Sequence, residues 1–172
     1  LDELGAYWFE EPVAPEDHDG YRELRSRLNV NIAGGEAEFS RWGWRTLLES
    51  KGLDIAQPEV CGLGGISEYM KVTALCHAHH VPVVNHVWGS GIAVAANLQL
   101  LATLPPMPGG LFPREPMLEF DTTHNLFRDD LLAEPLNILA QVASNNGRVR
   151  IPDSPGLGVE PDRDFLNTYR VT

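Results

Sequence analysis

Cysteine is scarce in this 172-residue sequence, and basic residues are outnumbered by acidic ones. The two cysteines cannot support a disulfide scaffold, and no basic-then-apolar leader opens the sequence, so we expect a reducing, cytoplasmic location. The 13 Lys and Arg against 24 Asp and Glu give a net charge of −11, which disfavours nucleic acid or an anionic membrane as a partner. The longest apolar stretch, Gly89 to Leu104, is too short for a membrane span and predicts a buried helix.

Short apolar runs alternate with helical patterns along most of the chain. The predicted strands are 7–9, 31–33, 53–56, 82–85 and 117–120, and the predicted helices are 17–28, 40–50, 66–79 and 92–104. This alternation indicates parallel strands connected by helices. The strands lack in–out polar alternation, which is typical of a sheet buried on both faces. A Rossmann sheet and a TIM barrel both satisfy this pattern.

The positions of the ionisable residues favour the barrel. Four predicted strands end in such a residue and a fifth carries one late in its run: Glu10, Glu36, Glu59, His86 and Glu119. In a TIM barrel the C-terminal strand ends converge on one site, whereas no GxGxxG turn supports dinucleotide binding. Five strands cannot close an eight-stranded barrel. We therefore predict an α/β fold with a partial (β/α) barrel over residues 1–121.

The rest of the chain, residues 122–172, is predicted to be a C-terminal extension. It breaks the strand–helix alternation with several prolines and an Asn145-Asn146-Gly147 turn signal. It also contains one further short strand candidate, Arg148 to Ile151.

Carboxylates that converge on one site repel one another unless a positive charge neutralises them. A divalent cation does so, and hard oxygen ligands select magnesium or calcium. Such a cation stabilises the developing enolate when a proton is removed next to a carboxylate. That chemistry also needs a base near neutral pKa, for which His86 is the natural candidate. Any one Glu taken singly has a simpler explanation, as a helix N-cap partner or a solvated charge.

Five short motifs contain the ionisable strand-end residues: Trp8-Phe9-Glu10-Glu11-Pro12, Ala33-Gly34-Gly35-Glu36, Gln57-Pro58-Glu59 with Gly64-Gly65, Asn85-His86, and Met117-Leu118-Glu119-Phe120-Asp121. In sequence and in order, these motifs resemble those of the mandelate racemase/muconate lactonizing enzyme family of the enolase superfamily. The resemblance implies that Glu10 and Glu36 bind Mg²⁺ and that Glu119 touches the substrate. It also implies that His86 transfers a proton with Glu59 as its hydrogen-bonding partner. Glu11 should point away from the site, because adjacent strand residues face opposite sides.

Within the family, the segment from residues 86–89 through residues 122–125 resembles galactarolactone cycloisomerases, which isomerise the lactone of a sugar diacid. Aldarate and aldonate dehydratases are the neighbouring interpretation. Both imply a small-molecule carboxylate as substrate. Trp88 follows His86 directly in a predicted loop, where it either packs against substrate or covers the barrel rim.

The sequence departs from the family pattern in two respects. The partner of the histidine is normally Asp, and here it is Glu59. The family's lysine base, its first metal-binding Asp and its capping domain belong to earlier segments that this sequence does not contain. We therefore expect residues 1–172 to be inactive alone and to associate with the missing N-terminal part or form a homo-oligomer. A catalytically silent fragment or subunit is the competing hypothesis.

Overall fold

The structure, a computed structural model, describes residues 2–105 and 115–171. After a short 3₁₀ helix at Asp2–Leu4 the elements run in chain order as β1 (Trp8–Glu10), α1 (His18–Arg27), β2 (Asn31–Gly34), α2 (Ser40–Ser50), β3 (Ile55–Ala56), α3 (Val60–Leu63), α4 (Ile66–Ala78), α5 (Gly91–Leu101), α6 (Leu126–Asp129), α7 (Ile138–Ser144) and α8 (Arg163–Thr168). The predicted strand–helix alternation is confirmed from β1 through α4, whereas within the described residues no strand lies between α4 and α5.

The three strands form a parallel sheet in the order β1-β2-β3. Glu10 lies opposite Ala33, and Gly34 lies opposite Ala56. Two isolated parallel bridges, Ala56 with Val83 and Asn85 with Leu118, continue this order at the positions of the last two predicted strands. The parallel direction and the order are thus as predicted, but the described residues contain three strands and the predicted count of five is not confirmed.

Three helices pack side by side, with α2 between α1 and α4. Helix α1 begins where the Asp17 carboxylate accepts a hydrogen bond from the Gly20 amide at 2.9 Å. The core joins Ala33, Ile55 and Val84, with Trp8 packed against them. These apolar residues come from neighbouring strand segments, so burying them fixes the sheet register on which the site depends.

The described residues form two compact units. Residues 2–86, 104–105 and 115–119 make up the first, and residues 87–103 with 120–171 make up the second. The predicted boundary between residues 121 and 122 stays a prediction.

In the second unit, α5 is buried along most of its length, as predicted, and begins at the Ser90 hydroxyl. Its buried Asn97 donates to the Ala93 carbonyl at 2.9 Å. The predicted strand at 148–151 is wrong. The Arg150 amide donates to the Gln141 side chain at 2.8 Å instead of to a neighbouring strand, and Pro152 has no amide hydrogen to extend a ladder. Within residues 2–105 and 115–171, no helix combines the length and apolar character needed to cross a membrane.

The turn after β2 requires a glycine. Gly35 has φ +113°, and a Cβ there would lie 2.4 Å from the Trp44 ring. A side chain at this position would therefore meet both backbone strain and a buried aromatic ring. The close contact between the turn and α2 determines where the chain delivers Glu36.

A buried hydrogen bond joins α4 to the segment that ends in His86. The Tyr69 hydroxyl donates to the Asn85 side-chain oxygen, and both residues are fully buried. Breaking such a bond leaves a desolvated acceptor with one donor fewer, at a cost of about 1–3 kcal/mol.

We predict that Tyr69→Phe lowers the free energy of unfolding by about 1–3 kcal/mol, because the ring is retained while the Asn85 oxygen loses its donor. Chemical denaturation measures the loss. Tyr169→Phe is the matched control, since its ring is 45% exposed, and it should change the free energy by about 0.5 kcal/mol or less. Equal losses in the two variants would contradict the assignment.

Candidate active site

Five of the six residues selected from the sequence lie at the C-terminal ends of the parallel strand segments. Glu10 is the last residue of β1, and Glu36 and Glu59 follow β2 and β3. His86 and Glu119 each follow a bridge residue, Asn85 and Leu118. Parallel segments deliver their C-terminal ends to one edge of the sheet, which is why residues far apart in sequence lie close together here.

His86 lies between two carboxylates. Its Nδ1 is 3.0 Å from Glu59 Oε2, and its Nε2 is 3.0 Å from Glu36 Oε2. The other oxygen of Glu59 accepts a hydrogen bond from the Cys61 amide at 2.9 Å and caps α3. Glu59 therefore serves both as the helix cap and as the partner of the histidine, and the two roles use different oxygens.

His86 and Glu59 each stabilise the charged form of the other. Burial alone would lower the pKa of His86, but the hydrogen bond to Glu59 and the charges of Glu119 and Glu36 raise it above its ordinary value. Burial alone would raise the pKa of Glu59, but hydrogen bonds from His86 and from Cys61 lower it. The pair is thus stabilised as imidazolium and carboxylate, and Glu59 fixes which imidazole nitrogen faces Glu36.

Glu10 and Glu119 are joined by a neutral side chain. Gln57 Nε2 lies 2.8 Å from Glu10 Oε2 and 3.4 Å from Glu119 Oε2. Trp8 Nε1 also donates to Glu10 Oε2, at 3.1 Å. Burial and the negative charges of Glu10 and Glu36 raise the pKa of Glu119 to about 7, although His86 opposes them. Negative charge is therefore in excess at this edge.

The prediction that Glu11 points away from the site stays a prediction, although its argument from strand alternation does not hold. Its carboxylate accepts a hydrogen bond from the Gly35 backbone and is close enough to Glu36 and Glu10 that burial and their charges raise its pKa. Strand alternation does not apply, because Glu11 lies beyond the last residue of β1 and has φ +40°. A carboxylate oxygen of Glu11 is buried without a hydrogen-bond partner among the described residues.

Trp88 is the sixth predicted residue, and it belongs to the second compact unit. Its side chain is 71% exposed and forms a hydrogen bond with Asp121. Its contact with substrate stays a prediction.

Sequence reasoning gave no role to Gln57 or Trp8, although both stand in the quoted motifs. The available signal for Gln57 was a polar residue directly after β3, at the end of a parallel strand where barrel sites form. Nothing in the sequence distinguishes the Trp8 indole as a donor, because an aromatic residue in a buried strand is normally explained by packing.

The donor set suits a hard divalent cation, since carboxylate oxygens predominate and their repulsion is only partly offset by one imidazole. The buried, unpaired oxygen of Glu11 also indicates charge that is not fully compensated. Within residues 2–105 and 115–171 no group of three or more His, Cys, Asp or Glu side chains is arranged to hold a metal ion. The predicted ligands Glu10 and Glu36 therefore stay a prediction.

The family described as enolase C-terminal domain-like matches residues 1–165 of the chain. A D-galactarolactone cycloisomerase from Agrobacterium fabrum is 46% identical over 168 residues, which cover 98% of this chain and 43% of the relative. A D-xylonate dehydratase from Haloferax volcanii is 31% identical over 99% of this chain and 38% of the relative. This chain thus spans less than half the length of these curated relatives.

Solved structures have the same fold. The crystal structure of a 3,6-anhydro-D-galactonate cycloisomerase from Zobellia galactanivorans superposes with a TM-score of 0.82 at 38% identity, covering 95% of this chain and 42% of that one. A member of the enolase superfamily from Polaromonas sp. JS666 has a TM-score of 0.82 at 29% identity, covering all of this chain and 42% of that one.

We predict that Glu59→Gln lowers the pKa of His86 and removes a pH-dependent part of the stability. Because the pKa of His86 is raised, its charged form stabilises the fold fully below about pH 6.5, and this contribution is lost as pH rises through the raised pKa. Because the pKa of Glu59 is lowered, its carboxylate stabilises the fold above about pH 4.5, and this contribution is lost as pH falls through the lowered pKa. The difference in unfolding free energy from wild type should therefore be largest between about pH 4.5 and 6.5.

Histidine NMR titration and denaturation in the presence of a chelator measure both effects. Glu38→Gln is the control, because Glu38 pairs with His18 at 3.3 Å, and it should leave the pKa of His86 unchanged. An unaltered pKa of His86 in Glu59→Gln would contradict the pairing.

Proposed function

The chain belongs to the enolase C-terminal domain-like family, and from that premise we propose that it carries proton-transfer groups of a magnesium-dependent sugar-acid enzyme. Those groups remove or deliver a proton next to the carboxylate of a sugar acid or its lactone. The observation that supports the proposal is the position of His86 between Glu59 and Glu36. His86 lies at the same edge of the sheet as Glu10 and Glu119. The 46% identity to a D-galactarolactone cycloisomerase favours a cycloisomerase reaction.

In this proposal His86 exchanges a proton through Nε2, the nitrogen opposite Glu59. Glu59 accepts the Nδ1 hydrogen, which fixes the imidazole tautomer and orientation, and its charge stabilises the protonated form. A raised pKa suits a residue that returns a proton as an acid or accepts one late in the reaction. Glu59 supplies the carboxylate that Asp supplies in the family, at an Nδ1–Oε2 distance of 3.0 Å.

Glu10 and Glu36 are the residues that would hold a Mg²⁺ ion. When bound, the ion supplies the positive charge that stabilises an enolate forming at the substrate carboxylate. Glu119, whose pKa is raised to about 7, is proposed to contact the substrate and to donate or accept a hydrogen bond near neutral pH. Trp88 is proposed as a further substrate contact.

A sugar-acid dehydratase is the second candidate, because the D-xylonate dehydratase matches 99% of this chain. Proton removal next to the carboxylate is common to both reactions. A dehydratase also protonates a departing hydroxyl group, and His86 could supply that proton as an acid. Formation of a 2-keto acid from an aldarate or aldonate would decide for the dehydratase, and conversion of a lactone without loss of water would decide for the cycloisomerase.

We further propose that catalysis, in a cytoplasmic setting, needs more than residues 1–172. The lysine base and the Asp ligand that the family resemblance implies have no counterpart in this sequence. Within the described residues β1 pairs only with β2, so its other edge offers unpaired backbone groups that another strand could cover. We propose that such a strand comes from the N-terminal part that the family resemblance implies or from a second copy of the chain. The alternative of a silent subunit predicts no activity in any assembly.

We predict that His86→Asn in the full-length enzyme lowers deuterium incorporation at the substrate carbon it serves by about 10² to 10⁴-fold, because a positioned acid–base group contributes that much. Mass spectrometry of aldarates and their lactones in deuterated water measures the exchange. His79→Asn is the matched control, because His79 is an exposed residue at the end of α4. Full exchange in His86→Asn would remove His86 from the mechanism.

Glu10→Gln and Glu36→Gln should each weaken Mg²⁺ binding, because a carboxylate ligand is replaced by a neutral amide. Titration calorimetry without substrate measures the dissociation constant. Glu38→Gln, two residues from Glu36, changes a carboxylate whose partner is His18 and should bind Mg²⁺ like wild type. Unchanged binding in both Glu10→Gln and Glu36→Gln would rule out these two ligands.

A further inference from the structure

Gln57 lies between two carboxylates to which the proposed function gives different tasks. Only 1% of the residue is exposed. Its amide nitrogen is 2.8 Å from Glu10, the proposed metal ligand, and 3.4 Å from Glu119, the proposed substrate contact. A primary amide carries two hydrogens on one nitrogen, so it can donate one to each carboxylate.

The backbone of Gln57 is held as firmly as its side chain. Its amide hydrogen bonds to the Gly34 carbonyl at 2.9 Å, which joins it to the end of β2. Pro58 follows and restricts Gln57 to extended conformations. The side-chain amide of Gln57 therefore approaches the two carboxylates from a backbone position that the sheet fixes.

A neutral donor has an advantage at this position. Lysine or arginine would also bridge two carboxylates, but a fixed positive charge would compete with a cation for Glu10. The glutamine holds the carboxylates and leaves their charge available. The side-chain oxygen of Gln57 is nevertheless buried and accepts no hydrogen bond from the described residues. An apolar side chain would avoid that penalty, so the amide is not explained by packing.

The indole of Trp8 determines which oxygen of Glu10 is left for a cation. Trp8 donates to Glu10 Oε2 at 3.1 Å, the same oxygen that accepts from Gln57. One carboxylate oxygen has about two lone-pair sites, so Oε2 is filled by two N–H donors. The other oxygen, Oε1, remains for a cation.

We propose that Gln57 is a positioning residue that sets the separation between Glu10 and Glu119, and that Trp8 assists by orienting Glu10. The inference rests on the proposed function and adds residues to it that determine how the metal-binding and substrate-binding carboxylates are aligned. Trp8 touches only Glu10 of this pair, so its effect is confined to the metal. Gln57 touches both and therefore acts on metal and substrate.

The test compares Gln57→Met with Gln99→Met in the full-length enzyme. Methionine keeps a similar volume and removes the amide. Gln99 also donates two hydrogen bonds, to the carbonyls of Pro152 and Leu157, and neither partner is acidic. Gln57→Met should weaken Mg²⁺ binding about 10- to 100-fold, the usual effect of losing a group that orients a metal ligand. It should also raise KM measured at saturating Mg²⁺, whereas Gln99→Met should change neither quantity.

Trp8→Phe separates the two effects. It should weaken Mg²⁺ binding, measured by titration calorimetry without substrate, and leave KM at saturating Mg²⁺ unchanged. Gln57→Asn, whose amide is one methylene shorter, should reproduce the losses of Gln57→Met and decides the question if the methionine variant does not fold.

The outcomes distinguish this inference from the function on which it rests. If wild type binds no Mg²⁺, the proposed function fails and the inference fails with it. If wild type binds Mg²⁺ but a folded Gln57 variant matches Gln99→Met in both the dissociation constant and KM, the inference is overturned while the proposed function stands. Tighter Mg²⁺ binding in Trp8→Phe would also overturn it, because the indole would then be competing with the metal.

Discussion

Mutual repulsion among carboxylates at one edge of a parallel sheet is the constraint on which the rest of the site depends. Burial and the negative charges of Glu10 and Glu36 raise the pKa of both Glu11 and Glu119. The chain counteracts this repulsion in two ways. His86 lies between Glu36 and Glu59 and offsets negative charge on one side. On the other side Gln57 and Trp8 hold Glu10 with neutral N–H groups, which fix its position and leave its charge in place.

Support for this edge comes from the helices behind the sheet. Tyr69 of α4 holds Asn85, the residue before His86. Trp44 of α2 packs where a side chain at Gly35 would lie, and so controls the turn that delivers Glu36. Tyr21 of α1 approaches Gly34 in the same way. His86 and Glu36 thus each follow a residue that a buried aromatic side chain contacts, which suits a site that must keep like charges close.

The curated relatives carry the names of two different reaction classes. The matches include a D-galactarolactone cycloisomerase and a D-xylonate dehydratase. This chain spans 43% of the first and 38% of the second, so more than half of each relative lies outside the matched part.

The sequence by itself determined the order of strands and helices, the parallel direction and the family, because buried apolar runs, helix periods and strand-end carboxylates are local patterns. It also placed Glu10, Glu36, Glu59, His86 and Glu119 at one edge, since parallel strands have their C-terminal ends together. Only the tertiary structure decided which side chains face one another across that edge. Glu11 leaves the strand with φ +40° and accepts a hydrogen bond from the Gly35 backbone, and Gln57 reaches both Glu10 and Glu119, the latter 62 residues away. Those outcomes depend on backbone angles and on distances between segments remote in sequence, and local patterns carry no information about either.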